Sequence, residues 1–101
     1  MKQYTTPEQT AKLIELGFDK PKSKVLFEVG NDELGYTYSI GELIDMLPTI
    51  IDEYSVKVIS GGGTWSVHYK RIFESRYDTF AKDLIDALYD MIVKLKAEGV
   101  I

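Results

Sequence analysis

The single histidine, His68, is the side chain best suited to chemistry near neutral pH. Nucleophilic catalysis would require a carboxylate beside it and a hydroxyl nucleophile, for which Ser66 and Ser60 are candidates. If "TWSVHYKR" is a strand, its alternation puts Ser66 and His68 on one face. A lone histidine on the outward face of a strand is typically a solvated or cross-strand residue, and the sequence places no carboxylate beside it. We therefore predict no catalytic residues and no enzyme activity.

The three consecutive glycines Gly61–Gly63 could cradle a phosphate or reverse the chain. A phosphate-binding P-loop ends in Gly-Lys-Ser/Thr and leads directly into a helix. Here the glycines stand between two alternating segments, "SVKVIS" and "TWSVHYKR", and no lysine follows them directly. This arrangement predicts a β-hairpin.

Acidic and basic side chains recur at two further places. Asp83, Asp86 and Asp90 follow a helical spacing, which could hold a cation or support acid–base chemistry but is typical of a solvated helix face. Because the chain has no cysteine and one histidine, we predict neither a metal site nor a cofactor. The only basic cluster lies around Pro21, where three lysines are candidate phosphate contacts: Lys20, Lys22 and Lys24.

Aromatic side chains suggest a different kind of site. Tyr36 and Tyr38 share one face of a short β-prone segment, and Trp65 and Tyr69 share one face of another. Most of them should help to form the small core, but any surplus would make an aromatic patch of the kind found at partner sites. These four residues are our candidate partner contacts.

Two helices are predicted from their capping signals. Thr6 and Gln9 form a capping box with Pro7 at the first helical position, which predicts a helix over residues 7–16. Ser39 and Glu42 form a second box, and this helix ends at Pro48 or gains a further turn from "TIIDEY". Between the two helices, the β-prone segments 24–29 and 35–38 predict a hairpin.

A long helix is predicted at the carboxyl-terminal end, capped by Asp78 or Thr79 and closed by Gly99. Its apolar stripe runs at spacings of three and four through Phe80, Leu84, Leu88, Met91 and Leu95, widened by Ile85 and Ile92. The order helix, hairpin, helix, hairpin, long helix predicts one α+β domain over residues 1–101, with helices on one face of an antiparallel sheet.

Size and composition set further expectations. With 101 residues, 45% hydrophobic residues and 28% charged residues, the chain has the composition of one globular domain. The amino-terminal segment lacks the apolar stretch of a signal peptide, and no apolar run is long enough for a membrane span. We expect a cytoplasmic protein without a membrane partner. Its net charge of −4 gives no general attraction to nucleic acid.

Most of the chain resembles a group of small proteins of unknown function found in Bacteroides-type genomes and their phages or prophages. The resemblance rests on "MKQYTTPEQTAKLIELGFDKP", "YSIGELIDMLP" and "FAKDLIDALYDMIVKLKAEGVI". It implies an accessory protein of a phage or mobile element and supplies no functional residues. A shorter likeness, of "YSIGEL" to the start of MerR-type regulators, stops within six residues, because the segment that follows lacks arginine.

These observations predict a non-enzymatic protein-interaction module that binds an unidentified protein or a second copy of itself. Self-association is expected if the long helix carries more apolar surface than one small sheet can cover. The alternative is a nucleic-acid-binding accessory protein, in which the lysine cluster contacts phosphates and exposed aromatic rings stack on bases.

Overall fold

The computed structural model describes residues 3–22, 26–29 and 33–101, and for residues 26–29 and 33–36 it describes the course of the backbone. Its elements follow in this order: α1 (Pro7–Glu15), β1 (Leu26–Val29), β2 (Glu33–Tyr36), α2 (Ile40–Met46), β3 (Ile50–Ile51), β4 (Tyr54–Gly61), β5 (Thr64–Arg71), β6 (Glu74–Ala81) and α3 (Leu84–Ala97).

The main sheet is an antiparallel meander of four strands in the order β3-β4-β5-β6, and β1 pairs with β2 as a separate hairpin. The predicted α+β fold is confirmed. The glycine hairpin is also confirmed: Gly62 and Gly63 have φ angles of 61° and 78° and form the tight turn that joins β4 to β5. Positive φ at both central positions is the geometry that two-residue hairpins favour.

The first two helices begin where the capping signals predict. Thr6 accepts a hydrogen bond from the Gln9 amide, and the Gln9 side chain returns to the Thr6 amide. Ser39 and Glu42 make the same reciprocal pair at the start of α2. The alternative of a further helical turn after Pro48 is wrong. That segment instead contains β3 and a turn with positive φ at Asp52.

The hairpin of β1 and β2 is also present, with different bounds. Its second strand ends at Tyr36, and Tyr38 instead lies in the core, where its backbone carbonyl accepts a hydrogen bond from the Thr5 amide. Lys24, where the first strand was predicted to begin, lies outside the described residues.

The start of the long helix was predicted wrongly. Residues 78–81 belong to β6, and α3 begins at Leu84 after the N-cap Asp83. Phe80 therefore lies on the sheet, 64% exposed, rather than in the helix stripe. The rest of the stripe is confirmed, because every other predicted member is buried: Leu84, Ile85, Leu88, Met91, Ile92 and Leu95.

The core lies between α3 and one face of the main sheet, and α2 packs on α3. On β5, Val67 and Tyr69 are fully buried in this core, and Trp65 packs against it half-buried. Burying these side chains removes apolar surface from water, which is the main stabilising term for a domain of this size. The sheet face opposite α3 is called the outer face below.

Candidate functional site

The outer face is formed by side chains that alternate with the core residues along each strand. On β5 these are Ser66 and His68, and in the strand register Ser66 stands between Ile59 and Phe80. His68 stands between Lys57 and Asp78 in the same way. Although they lie on this outer face, Ser66 and His68 are each only 8% exposed, because larger neighbours surround them on both sides.

His68 is hydrogen-bonded through both of its ring nitrogens. Nδ1 lies 2.5 Å from Oδ1 of Asp78, and Nε2 lies 2.8 Å from Oγ of Ser66. The hydroxyl of Ser75 donates a hydrogen bond to the same Asp78 oxygen. The ring of Phe80 meets the imidazole edge-on at a centroid distance of 5.4 Å. We call Ser66, His68, Asp78 and Ser75 the outer-face relay.

A β-bulge in β6 makes this relay possible. Asp78 pairs with His68 and Arg76 pairs with Tyr69, so Tyr77 is an extra residue, and its φ is 57°. Strict alternation would put residues three apart on opposite faces of a strand. The extra residue instead brings Ser75 and Asp78 to the same face.

The hydrogen bonds in the relay also set the acidity of Asp78. The pKa of its carboxyl group is lowered, first by the hydrogen bond from Ser75 and then by the hydrogen bond from His68. The side chain is 39% exposed, so solvent screens part of this effect. Asp78 is therefore ionised in the folded protein at neutral pH and acts as a hydrogen-bond acceptor.

A second unusual feature is the turn between β5 and β6. Its two residues, Ile72 and Phe73, are 89% and 98% exposed. Turns favour glycine, asparagine and aspartate for conformational reasons, so turn geometry does not account for two large apolar side chains here. We call this pair the hairpin tip.

A cleft of mixed polarity lies at the same end of the sheet as the hairpin tip. It has a volume of about 490 Å³ and is lined by Pro48, Ile50, Ile51, Asp52, Tyr77 and Val100. Ile50 is exposed there although it belongs to β3. The molecule thus carries an apolar projection and a recess of mixed polarity at the same end of the main sheet.

Charges around the hairpin tip largely compensate one another. Arg71 approaches Glu74 at 2.9 Å and Glu53 at 3.4 Å, and Arg76 approaches Asp52 at 3.5 Å. The guanidinium groups of both arginines also lie over the ring of Tyr54, 5.0 and 5.8 Å from its centroid. This end of the sheet therefore carries little net charge.

The four aromatic residues predicted to contact a partner are not exposed in the way that the hairpin tip is. Tyr38 and Tyr69 are buried, and their hydroxyls donate to backbone carbonyls, that of Tyr69 to Pro48 at 2.7 Å. Burial raises the pKa of Tyr69 to about 12. Trp65 is half-buried against the core, and Tyr36 lies on β2 opposite Leu26. Tyr38 and Tyr69 thus present no surface to a partner in this conformation.

Two of the three predicted phosphate contacts line another cleft, and Lys24 is outside the described residues. Lys20 and Lys22 share this cleft with the carboxyl groups of Asp19, Glu42 and Asp45. The Lys22 amide donates to Glu42 at 2.8 Å. Three carboxyl groups beside two lysines give this surface no positive excess for phosphate.

The other residues that the sequence offered for catalysis or cation binding lie away from His68. Ser60 pairs with Trp65 and so lies on the sheet face opposite His68. Asp86 accepts a hydrogen bond from the Gln9 side chain at 2.7 Å, which ties α1 to α3. The pKa of Asp90 is raised, chiefly by lost hydration and secondarily by the charge of Asp86. No group of three potential metal ligands occurs among the described residues.

The relay carboxylate and the hairpin tip were both missed at the sequence level. A signal for them exists, because β4, β5 and β6 are each eight residues long and two-residue turns separate them. This ten-residue period could have identified "ESRYDTFA" as a third strand and "IF" as its turn.

Comparison of the chain with protein-family models, with curated proteins and with solved structures found no match. The origin in a phage or mobile element that the resemblance implies stays a prediction. Within the described ranges, none of the helices has both the length and the apolar character that crossing a bilayer requires.

Proposed function

We propose that this protein is a small interaction module that acts as a dimer, in which the hairpin tip of each copy enters the cleft beside β3 of the other. The observation that carries the proposal is the near-complete exposure of two adjacent large apolar side chains, Ile72 and Phe73. Exposed apolar groups of this kind mark interaction sites when they are contiguous.

The surface favours a second copy of the chain as the partner, because each molecule carries both a tip and a cleft that could receive it. In a two-fold dimer the tip of the first copy contacts the cleft of the second, and the tip of the second contacts the cleft of the first. The dimer therefore contains two identical contacts. The cleft offers apolar contacts to the tip from Ile50, Tyr77 and Val100, within a lining that also includes the Asp52 carboxyl group. Burial of an aromatic side chain in such a pocket is typical of an interface hot spot.

The charge pattern favours a protein partner over a membrane surface. Attraction to an anionic bilayer depends on basic side chains that remain free to meet lipid headgroups. At this end of the sheet Arg71 and Arg76 are already paired with carboxylates, which leaves Lys70 as the basic side chain beside the tip. Contact with a protein cleft requires no such excess of positive charge.

Sedimentation of the purified protein over a wide concentration series tests the proposal. We expect a reversible monomer–dimer equilibrium, whose Kd Phe73→Ser should raise at least about thirty-fold, since losing a hot spot costs about 2 kcal/mol or more. Ile44→Ser is the matched control, because Ile44 is also exposed but lies on α2.

Three results would contradict the proposal: a wild-type protein that stays monomeric throughout, equal effects of the two substitutions, or tip-dependent sedimentation with lipid vesicles instead of self-association.

Nucleic-acid binding is the alternative, and a titration against single- and double-stranded DNA at two salt concentrations separates it. Phosphate contacts lose affinity steeply as salt rises. The carboxyl groups beside Lys20 and Lys22 lead us to expect no binding at either concentration. Salt-dependent binding weakened by Lys20→Ala would favour the alternative over the dimer.

A further inference from the structure

The relay fixes the roles of the two His68 nitrogens. The carboxylate of Asp78 is only an acceptor, so the hydrogen of the neutral imidazole lies on Nδ1, 2.5 Å from Oδ1. Nε2 is then an acceptor, and the Ser66 hydroxyl, 2.8 Å away, can donate to it in place of its longer contact with the Ile59 carbonyl oxygen at 3.4 Å. A hydroxyl, a base and a carboxylate that orients the base form the arrangement that activates serine nucleophiles.

The surroundings of Ser66 suit an apolar acyl group. Its direct cross-strand neighbours on the outer face are Ile59 and Phe80, both exposed. Lys57 is a diagonal neighbour of Ser66, within reach of a long side chain, and no described residue forms an ion pair with it. A positive charge within reach of Ser66 is of the kind that stabilises a developing oxyanion.

We propose that Ser66 is a nucleophile that accepts acyl groups from small apolar esters, with His68 as its general base and Asp78 as a positioning residue. Oγ of Ser66 attacks the ester carbonyl carbon while its proton passes to Nε2 of His68. The carbon–oxygen bond to the leaving group breaks, and the leaving alcohol takes that proton. Water then attacks the acyl-serine with His68 again as base, which releases the carboxylic acid and restores the serine.

This site is separate from the hairpin tip and does not depend on dimer formation. Tip substitutions should leave the reaction unchanged, and relay substitutions should leave sedimentation unchanged. The two proposals can therefore fail independently.

Incubation of the full chain with p-nitrophenyl butyrate tests the inference. We expect p-nitrophenolate release that continues beyond one equivalent per chain, and acid quenching during turnover should trap a butyryl group that peptide mass spectrometry maps to Ser66. Ser66→Ala should abolish this adduct, and His68→Gln should slow its formation at least about 100-fold, the usual minimum contribution of a general base. Ser60→Ala is the matched control, because Ser60 is exposed on the opposite face, and it should react like the wild type.

The role of Asp78 has its own readout. Asp78→Asn should slow acylation and remove the downfield proton resonance of the Nδ1–H bond, while the circular dichroism spectrum stays unchanged. Because the adduct is mapped on the unsubstituted protein, a variant that fails to fold does not obscure the result. No p-nitrophenolate release by the wild type above the uncatalysed rate, or release at the wild-type rate in Ser66→Ala or His68→Gln, would overturn the proposal.

Discussion

Asp78 is the residue whose charge is most closely tied to the fold of the outer face. Its folded-state pKa lies below the usual 3.8 because Ser75 and His68 donate hydrogen bonds to the ionised carboxyl group. A carboxyl group with a lowered folded-state pKa stabilises the fold at pH values above its unfolded-state pKa. That contribution is lost as the pH falls through the folded-state pKa, since the protonated group accepts these bonds less well.

Replacement of Asp78 by asparagine should therefore reduce the pH dependence of stability. At neutral pH we expect Asp78→Asn to lower the free energy of unfolding by about 1 kcal/mol, the usual contribution of a hydrogen bond. The difference from the wild type should shrink on acidification below about pH 4. Urea denaturation followed by circular dichroism at neutral and acidic pH measures both effects.

Asp45→Asn is the control for this experiment, because Asp45 is exposed on α2, away from the relay. We expect it to leave the pH dependence unchanged. A wild-type-like acid profile in Asp78→Asn would contradict the assigned role of the carboxylate.

At the scale of elements, two tight turns of the meander use the same backbone geometry with different residues. Gly62 and Gly63 have positive φ, and so do Asp52 and Glu53 in the turn between β3 and β4. Left-handed backbone costs a residue with a Cβ about 1–2 kcal/mol. Glycine removes that cost where β4 meets β5, two strands that pair at seven positions.

Gly63→Ala should lower the free energy of unfolding by about 1 kcal/mol, because alanine must then adopt positive φ. An added Cβ meets nothing within 4 Å at Gly63, so conformation rather than crowding would cause the loss. Thermal unfolding followed by circular dichroism measures it.

Gly61→Ala is the matched control, since Gly61 is equally uncrowded but extended at the end of β4. It should be neutral or slightly stabilising, because alanine has less unfolded-state entropy to lose. Equal losses in the two variants would show that the positive φ of Gly63 does not limit stability.

At the scale of the whole molecule, the proposed dimer contains two equivalent contacts, each made by a tip and a cleft. A tip variant keeps an intact cleft, and a cleft variant keeps an intact tip. Phe73→Ser and Ile50→Asp therefore each lose both contacts as homodimers, but a mixed dimer would retain one of them. Ile50 is suitable because it is exposed, so its substitution should not disturb the core.

Mixing Phe73→Ser with Ile50→Asp should thus restore part of the association that each variant lacks alone. Sedimentation of the two proteins separately and mixed, with one of them fluorescently labelled, measures the mixed dimer. A mixture that behaves as the sum of its components would exclude the tip-in-cleft arrangement. Mixing Phe73→Ser with an Ile72→Ser variant is the control, because neither has an intact tip.

Much of the local structure could be predicted because its signals are short. The capping boxes at Thr6 and Ser39 fixed two helix starts, and the glycine turn fixed one hairpin, since each depends on residues a few positions apart. The start of α3 could not be found this way. Asp78 and Thr79 have the residue types of an N-cap, but strand pairing with β5 holds them in β6, and the actual N-cap Asp83 makes no side-chain capping bond.

The sequence alone determined that Ser66 and His68 share a face, because side chains in a strand alternate with a period of two. Only the tertiary structure decided that Asp78 joins them, since this depends on the register between β5 and β6 and on the bulge at Tyr77. It also decided that Tyr38 and Tyr69 are buried while Phe73 is exposed. Tyr69 is buried because α3 covers its face of the sheet, whereas Phe73 is exposed because no described element packs over its turn. Long-range packing rather than residue type therefore sets which aromatic side chains leave water.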